Sequence, residues 1–317
     1  MIKKEDFFKD KEKCELTPTH IEEGITDPSL QKIDELFGAA DVLSIKYSEK
    51  HKRNLKMISV FAALLAFFFL LYEAAELHLI IVACVIMIIL LFYSYNFANK
   101  QQSHKKYLEY RLLAESLRIQ YFLAKAGVKK SVSDIMPWFI KIGIPWINEV
   151  LLELPKMQRS EKKSVLNCWI RDQEEYHNKA HVSSRKQKEK EDRIEKIALI
   201  ITVIGYAATL IFEFYIIFYA PIDSAAVHWN RALLKIIIGI MSVITIFISN
   251  YYGKMSLSRK IEEHRRMALL YDKAKKEILQ KGEESEELIL FLAREFLIEN
   301  ATWYAHQKGN RVDLNIE

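Results

Sequence analysis

The chain has few of the residues that interrupt helices and few of those that staple small domains. Only 9 of its 317 residues are glycine and 6 are proline, so tight turns are rare and long helices are expected. The glycines are scattered singly, which excludes a glycine-rich phosphate cradle. Neither G-x-x-x-x-G-K-[ST], H-E-x-x-H nor G-x-S-x-G occurs, so the sequence reads as a non-enzyme that needs no cofactor. Its three cysteines, Cys14, Cys84 and Cys168, show no C-x-x-C spacing. That argues against a disulfide framework or a zinc knuckle and suits a reducing compartment. The opening MIKKEDFFKDKEKCELT is charged and has no apolar core, unlike a secretory signal peptide. Low-complexity linkers are also lacking.

What is present is segregated. Half of the residues are hydrophobic and 27% are charged, but the two classes occupy different stretches. Four apolar runs stand out: MISVFAALLAFFFLLYE (57–73), LHLIIVACVIMIILLFYSYNF (77–97), KIALIITVIGYAATLIFEFYIIFYA (196–220) and ALLKIIIGIMSVITIFISNYYG (232–253). Each approaches the roughly 20 residues that carry a helix across about 30 Å of hydrocarbon. A short link joins the first two, and an interfacial turn, PIDSAAVHWNR, joins the second two. The fold class expected is therefore an all-α membrane protein, with four transmembrane helices as two hairpins and long cytoplasmic helices. No Lys or Arg lies between Met57 and Asn99, whereas basic residues crowd both outer flanks of each hairpin. Both hairpins should thus enter and leave on the cytoplasmic side, with both termini cytoplasmic.

The chain also reads as duplicated. KYLEYRLLAESLR (106–118) follows the first hairpin and KIEEHRRMALLYD (260–272) follows the second. At an offset of 154, Lys106, Glu109, Arg111 and Ala114 match Lys260, Glu263, Arg265 and Ala268. The expected organisation is an N-terminal cytoplasmic segment (1–29), a helix–hairpin–helix unit (30–127), an insert (128–165) and a second such unit with a C-terminal helix (166–317). The insert contains Pro137, Pro145 and Pro155 with Trp138 and Trp146. It is too broken to span a bilayer and reads as an interfacial amphipathic element or a packed cytoplasmic insert.

RLLAESLR after one hairpin, DQEEYHNKAH (172–181) leading into the next and the closing EFLIENATWYAHQK (295–308) together resemble the bacterial SLATT-type membrane domains, here in a four-span version covering roughly 30–127 and 166–308. The resemblance implies an inner-membrane effector of a bacterial antiphage or conflict-defence system. Such an effector would oligomerise to permeabilise the membrane when a nucleotide signal or partner sensor triggers it. Residues 1–29 are too short for a sensor domain, so a separate protein would supply the signal. Two other readings stand beside it: a constitutive ion channel or transporter, and a membrane docking protein for a soluble partner enzyme.

Two groups of residues are candidates for function. Within the spans, Thr202, Gly205, Thr209 and Glu213 form one stripe and Lys235, Gly239, Ser242 and Ser249 another. Small residues and hydroxyls at such spacing suit a helix–helix seam or, after assembly, a pore lining. Glu213 and Lys235 are spaced to pair, and Glu73 and Glu76 crown the first hairpin. Outside the spans, Arg111, Glu115 and Arg118 share a helix face beside an apolar stripe of Leu113, Leu117, Tyr121 and Ala124. Leu288, Phe291, Leu292, Glu295, Glu299 and Trp303 repeat at helical period near the C-terminus. Glu295 or Glu299 can then meet Arg111, Arg118, Arg265 or Arg266 in a charge network. His177 and His181 are four apart, as in a metal pair, but no further ligand adjoins them. They read as two solvated histidines, and no metal is expected. The basic stretches 46–56 and 185–196 adjoin the spans and suit anionic lipid headgroups. They lack stacking aromatics, so no nucleic acid is expected as a partner.

Overall fold

The computed structural model describes residues 2–75, 79–154, 164–219, 225–255 and 257–309; the side chains of 73–75, 219, 225–228 and 245–255 lie outside the described residues. Every regular element among them is helical. In order these are α1 (Lys4–Glu12), α2 (Pro28–Ala75), α3 (Ile80–Gln101), α4 (Ser103–Lys125), α5 (Val132–Ile135), α6 (Trp138–Gly143), α7 (Pro145–Leu152), a π-helical turn (Leu166–Arg171), α8 (Asp172–Tyr219), α9 (Ala225–Met255), α10 (Leu257–Lys281) and α11 (Glu286–Gly309).

Local chemistry sets several of the boundaries. Asp27 caps α2, its Oδ1 accepting from the amides of Ser29 (2.8 Å) and Leu30 (3.3 Å), while Pro28 occupies the first turn, where no amide is needed. From there α2 runs for 48 residues. Gln102, with φ 49°, separates α3 from α4. Ser131 and Asp134 form a capping box on α5. Pro137 and Pro145 stand at the starts of α6 and α7, which is why the insert is a series of short helices. Glu284 holds the start of the π turn, accepting from the amides of Val165 (3.0 Å) and Leu166 (3.0 Å).

Three helical stretches are long and apolar enough to cross a membrane: Pro28–Tyr72, Ile80–Lys125 and Leu166–Phe218. Only 0%, 11% and 6% of their most apolar windows are buried inside the protein. An apolar surface of that extent marks contact with a membrane or with other protein. The run 232–253 falls in α9, which is helical throughout, but its side chains from 245 on lie outside the described residues, as does Glu76.

The chain divides into two compact units: 1–52, 102–180 and 262–317 form the first, and 53–101 with 181–261 the second. α2, α8 and α10 each contribute to both, and the units cut across the sequential segments. The first unit has one continuous core. The predicted stripe of α4 is at its centre: Leu113, Leu117, Tyr121 and Ala124 are all buried. α11 packs along α4, burying Leu292, Phe296, Leu297 and Tyr304. Phe291, expected on that face, is instead exposed, because the buried arc is centred on Leu292 and Phe296.

The N-terminal segment belongs to this core. Phe7 of α1 is fully buried and meets Tyr110 edge-on at 5.6 Å. Residues 19–22 lie along the start of α2: Ile21 donates its amide to Asp34, and Glu22 accepts from Tyr121 (2.7 Å) and pairs with Lys125. The two parts of the insert differ in burial. Trp146, Ile147, Val150 and Leu151 of α7 are buried, whereas Trp138, Phe139 and Ile142 of α6 are exposed. Trp146 donates its indole N–H to the buried Glu109 at 2.7 Å.

Candidate functional site

In the first unit, α2, α4, α8, α10 and α11 enclose a cavity of about 420 Å³. Helical spacing brings its lining together: Tyr107, Arg111, Glu115 and Arg118 from α4, Asp41, Ser44 and Ser48 from α2, Gln173, Tyr176 and His177 from α8, His264 from α10, and Phe296, Glu299 and Asn300 from α11. Three of the predicted charged residues, Arg111, Glu115 and Arg118, and a fourth, Glu299, thus face one space. Arg118 lies 3.2 Å from Glu115 and its guanidinium covers the Phe37 ring at 5.1 Å. The Arg111 guanidinium sits over Trp303 at 4.7 Å, a contact worth about 0.5–2 kcal/mol depending on desolvation. The remaining network residues stay outside the cavity lining. Glu295 meets Arg266 at 3.4 Å. Arg265, which is largely exposed, lies 3.7 Å from Glu262 of its own helix.

Burial dominates the electrostatics. Glu299 is pushed up to about 8, first by desolvation and then by the charges of Glu115 and Glu263, against the opposing pull of Arg266 and Arg111. His177 is driven down to about 4 by burial and by the neighbouring His264.

His177 is a correction to the sequence reading. It is 2% exposed, not solvated, and its partner is not His181. His177 Nδ1 lies 3.1 Å from Nδ1 of His264, which is 87 residues away in sequence. His181 instead donates to the carbonyl of Ile261 (3.0 Å). His264 escaped sequence reasoning because a lone histidine in KIEEHRRM carries no local signal. Its only hint was that it lies on the helix matched to α4.

In the second unit, the stripe on α8 is the less exposed face of an otherwise exposed helix. Thr202, Gly205, Thr209 and Glu213 are all partly buried, and Ala198 and Ile216 fully so. The hydroxyls of Thr202 and Thr209 donate to carbonyls of their own helix, at Ala198 (2.8 Å) and Gly205 (2.9 Å). Across the seam, the Tyr206 hydroxyl lies 3.1 Å from Ser242 Oγ. At Gly239 a Cβ would come within 2.7 Å of Leu70 Cδ2, so the Leu70 side chain would have to shift to admit one. The expected Glu213–Lys235 pair does not form. Glu213 is held by a two-pronged contact with Arg231, Nε to Oε1 at 3.0 Å and Nη2 to Oε2 at 2.7 Å, and Lys235 is exposed. Glu213 and Arg231 lie nine residues either side of 222, so antiparallel helices bring them level, and the planar guanidinium fits a carboxylate fork. The side chains of Ser249 and Glu73 lie outside the described residues.

Compared with family models, with curated proteins and with solved structures, the chain gives no match. The functional reading therefore rests on its own residues.

Proposed function

We propose that the chain is a membrane effector of the SLATT type, with four spans in two duplicated hairpins and a cytoplasmic helical unit that restrains them until triggered. The carrying observation is the exposed apolar surface of three long helices that run, without a break in the chain, into a unit with its own packed core and charged cavity. In this reading the second unit lies in the bacterial inner membrane and the seam of Thr202, Gly205, Thr209, Gly239 and Ser242 packs the resting helices. On triggering by a nucleotide signal or by a partner sensor, copies of the chain assemble, and the seam is rearranged to make the membrane leaky. Basic residues on the outer flanks of the hairpins support cytoplasmic termini.

The test is induced expression in bacterial cells, alone and with the proteins encoded beside it, while membrane potential is followed with a voltage-sensitive dye. Collapse of the potential at the onset of growth arrest is the expected result. Growth arrest at normal potential would overturn the effector reading.

A further inference from the structure

The cavity of the first unit contains a ligand set that the membrane-effector reading does not use. One donor atom each from His177, His264 and Glu299 lies within 4.8 Å of the others. The three residues come from α8, α10 and α11, so the cluster is made by the tertiary fold and not by one helix face. The two Nδ1 atoms are 3.1 Å apart. Two nitrogens at the usual metal–imidazole length of about 2.0–2.1 Å stand about 2.9–3.4 Å apart for octahedral to tetrahedral angles.

Nε2 of His177 is buried and has no hydrogen-bond partner. With the ring proton placed there, Nδ1 is a bare lone pair facing Nδ1 of His264, the form in which imidazole ligates a metal. The ring is also held in place. Tyr271 stacks on it at 5.9 Å and Tyr176 meets it edge-on at 5.1 Å, so little rotamer freedom is lost on ligation.

We propose that His177, His264 and Glu299 bind a divalent first-row transition-metal ion, joining α8, α10 and α11 and leaving at least one coordination position open to the cavity. Two imidazoles and a carboxylate are a borderline-soft set, suited to Zn2+, Co2+, Ni2+ or Fe2+ and poorly suited to Ca2+ or Mg2+.

The full chain in detergent, stripped with EDTA and dialysed, is titrated with Zn2+ by calorimetry and loaded with Co2+ for visible absorption, with metal content measured by mass spectrometry. One ion per chain is expected, with a ligand-field spectrum for Co2+. His264→Gln and Glu299→Gln should each weaken binding by about 10–100-fold or more, and His181→Ala should bind as the parent does. Circular dichroism establishes that each variant is folded. The proposal is overturned if the parent chain binds no stoichiometric ion, or if binding survives both His264→Gln and Glu299→Gln unchanged.

Discussion

Gly38 shows how one neighbour can reverse the usual effect of a substitution. In a helix interior, glycine is less favourable than alanine by about 0.8–1.0 kcal/mol, so Gly→Ala ordinarily stabilises. At Gly38 of α2, a Cβ would lie 2.2 Å from the carbonyl oxygen of Thr19, and Thr19 is itself tied down by a 2.8 Å hydrogen bond to Asp41. Backbone held in that way cannot retreat cheaply. Gly38→Ala should lower stability by about 1–3 kcal/mol, read as a drop in Tm of the purified protein. Gly205→Ala is the control: its nearest contact is Ile238 at 4.0 Å, and no loss is expected.

His51 offers a second test at this scale. Its ring stacks on His104 at 4.4 Å, and burial, with the charge of His104 adding to it, lowers its pKa to about 4. In the unfolded chain a histidine titrates near pH 6.5. Between those values the unfolded state takes up a proton that the folded state does not. Stability from this residue is therefore complete above about pH 6.5 and falls as pH drops towards 4. His51→Phe keeps a stacking ring without the titration. Thermal melts from about pH 7 to 4 should show a shallower decline for that variant, and identical slopes would refute the assignment.

At the scale of elements, periodic features were readable and long-range partners were not. The stripe of Leu113, Leu117, Tyr121 and Ala124 is buried as its spacing implies, because a 3.6-residue period fixes which side chains share a face. Thr202, Gly205 and Thr209 likewise fall together on the less exposed face of α8, where they are only partly buried. Lys235 was mispaired because sequence places Glu213 against a helix, not against a level on that helix; Arg231, one turn nearer the connection, is level with it. Phe291 was misplaced because an apolar residue at the edge of an arc fits two phases equally well. The π turn before α8 leaves no sequence signal. Gln102 is likewise invisible in sequence, being an ordinary helix former in the left-handed region. That conformation disfavours a branched Cβ most strongly. Gln102→Ile should destabilise by about 1–2 kcal/mol, whereas Gln102→Gly should be tolerated. Chemical denaturation of both variants measures the difference.

For the whole molecule, composition alone foretold an all-helical chain with long apolar helices, since those depend on residue frequency and run length. It did not foretell that the N-terminal segment and α7 would be core elements of a unit assembled from three separated stretches. Through the shared cavity Arg118 faces residues of other helices. Arg118→Glu would place a second carboxylate beside Glu115 and remove the cation over Phe37. We expect the variant to insert into membranes as before but to change the oligomer sizes trapped by cross-linking, or its toxicity on induction. If oligomer size and toxicity both matched the parent, α4 would be a scaffold only.

The π turn at Leu166–Arg171 also constrains how this chain can change in length. A π turn holds one residue more than an α turn, and one residue is about 100° of rotation. Glu284 anchors the amides at its upstream end. Deleting the exposed Asn167 would close the π turn to an α turn of the same full rotation, leaving Gln173, Tyr176 and His177 on the cavity side. A deletion farther along α8, where no turn holds a spare residue, would swing everything beyond it by about 100°. This short segment should therefore absorb the loss of one residue that the rest of the helix cannot.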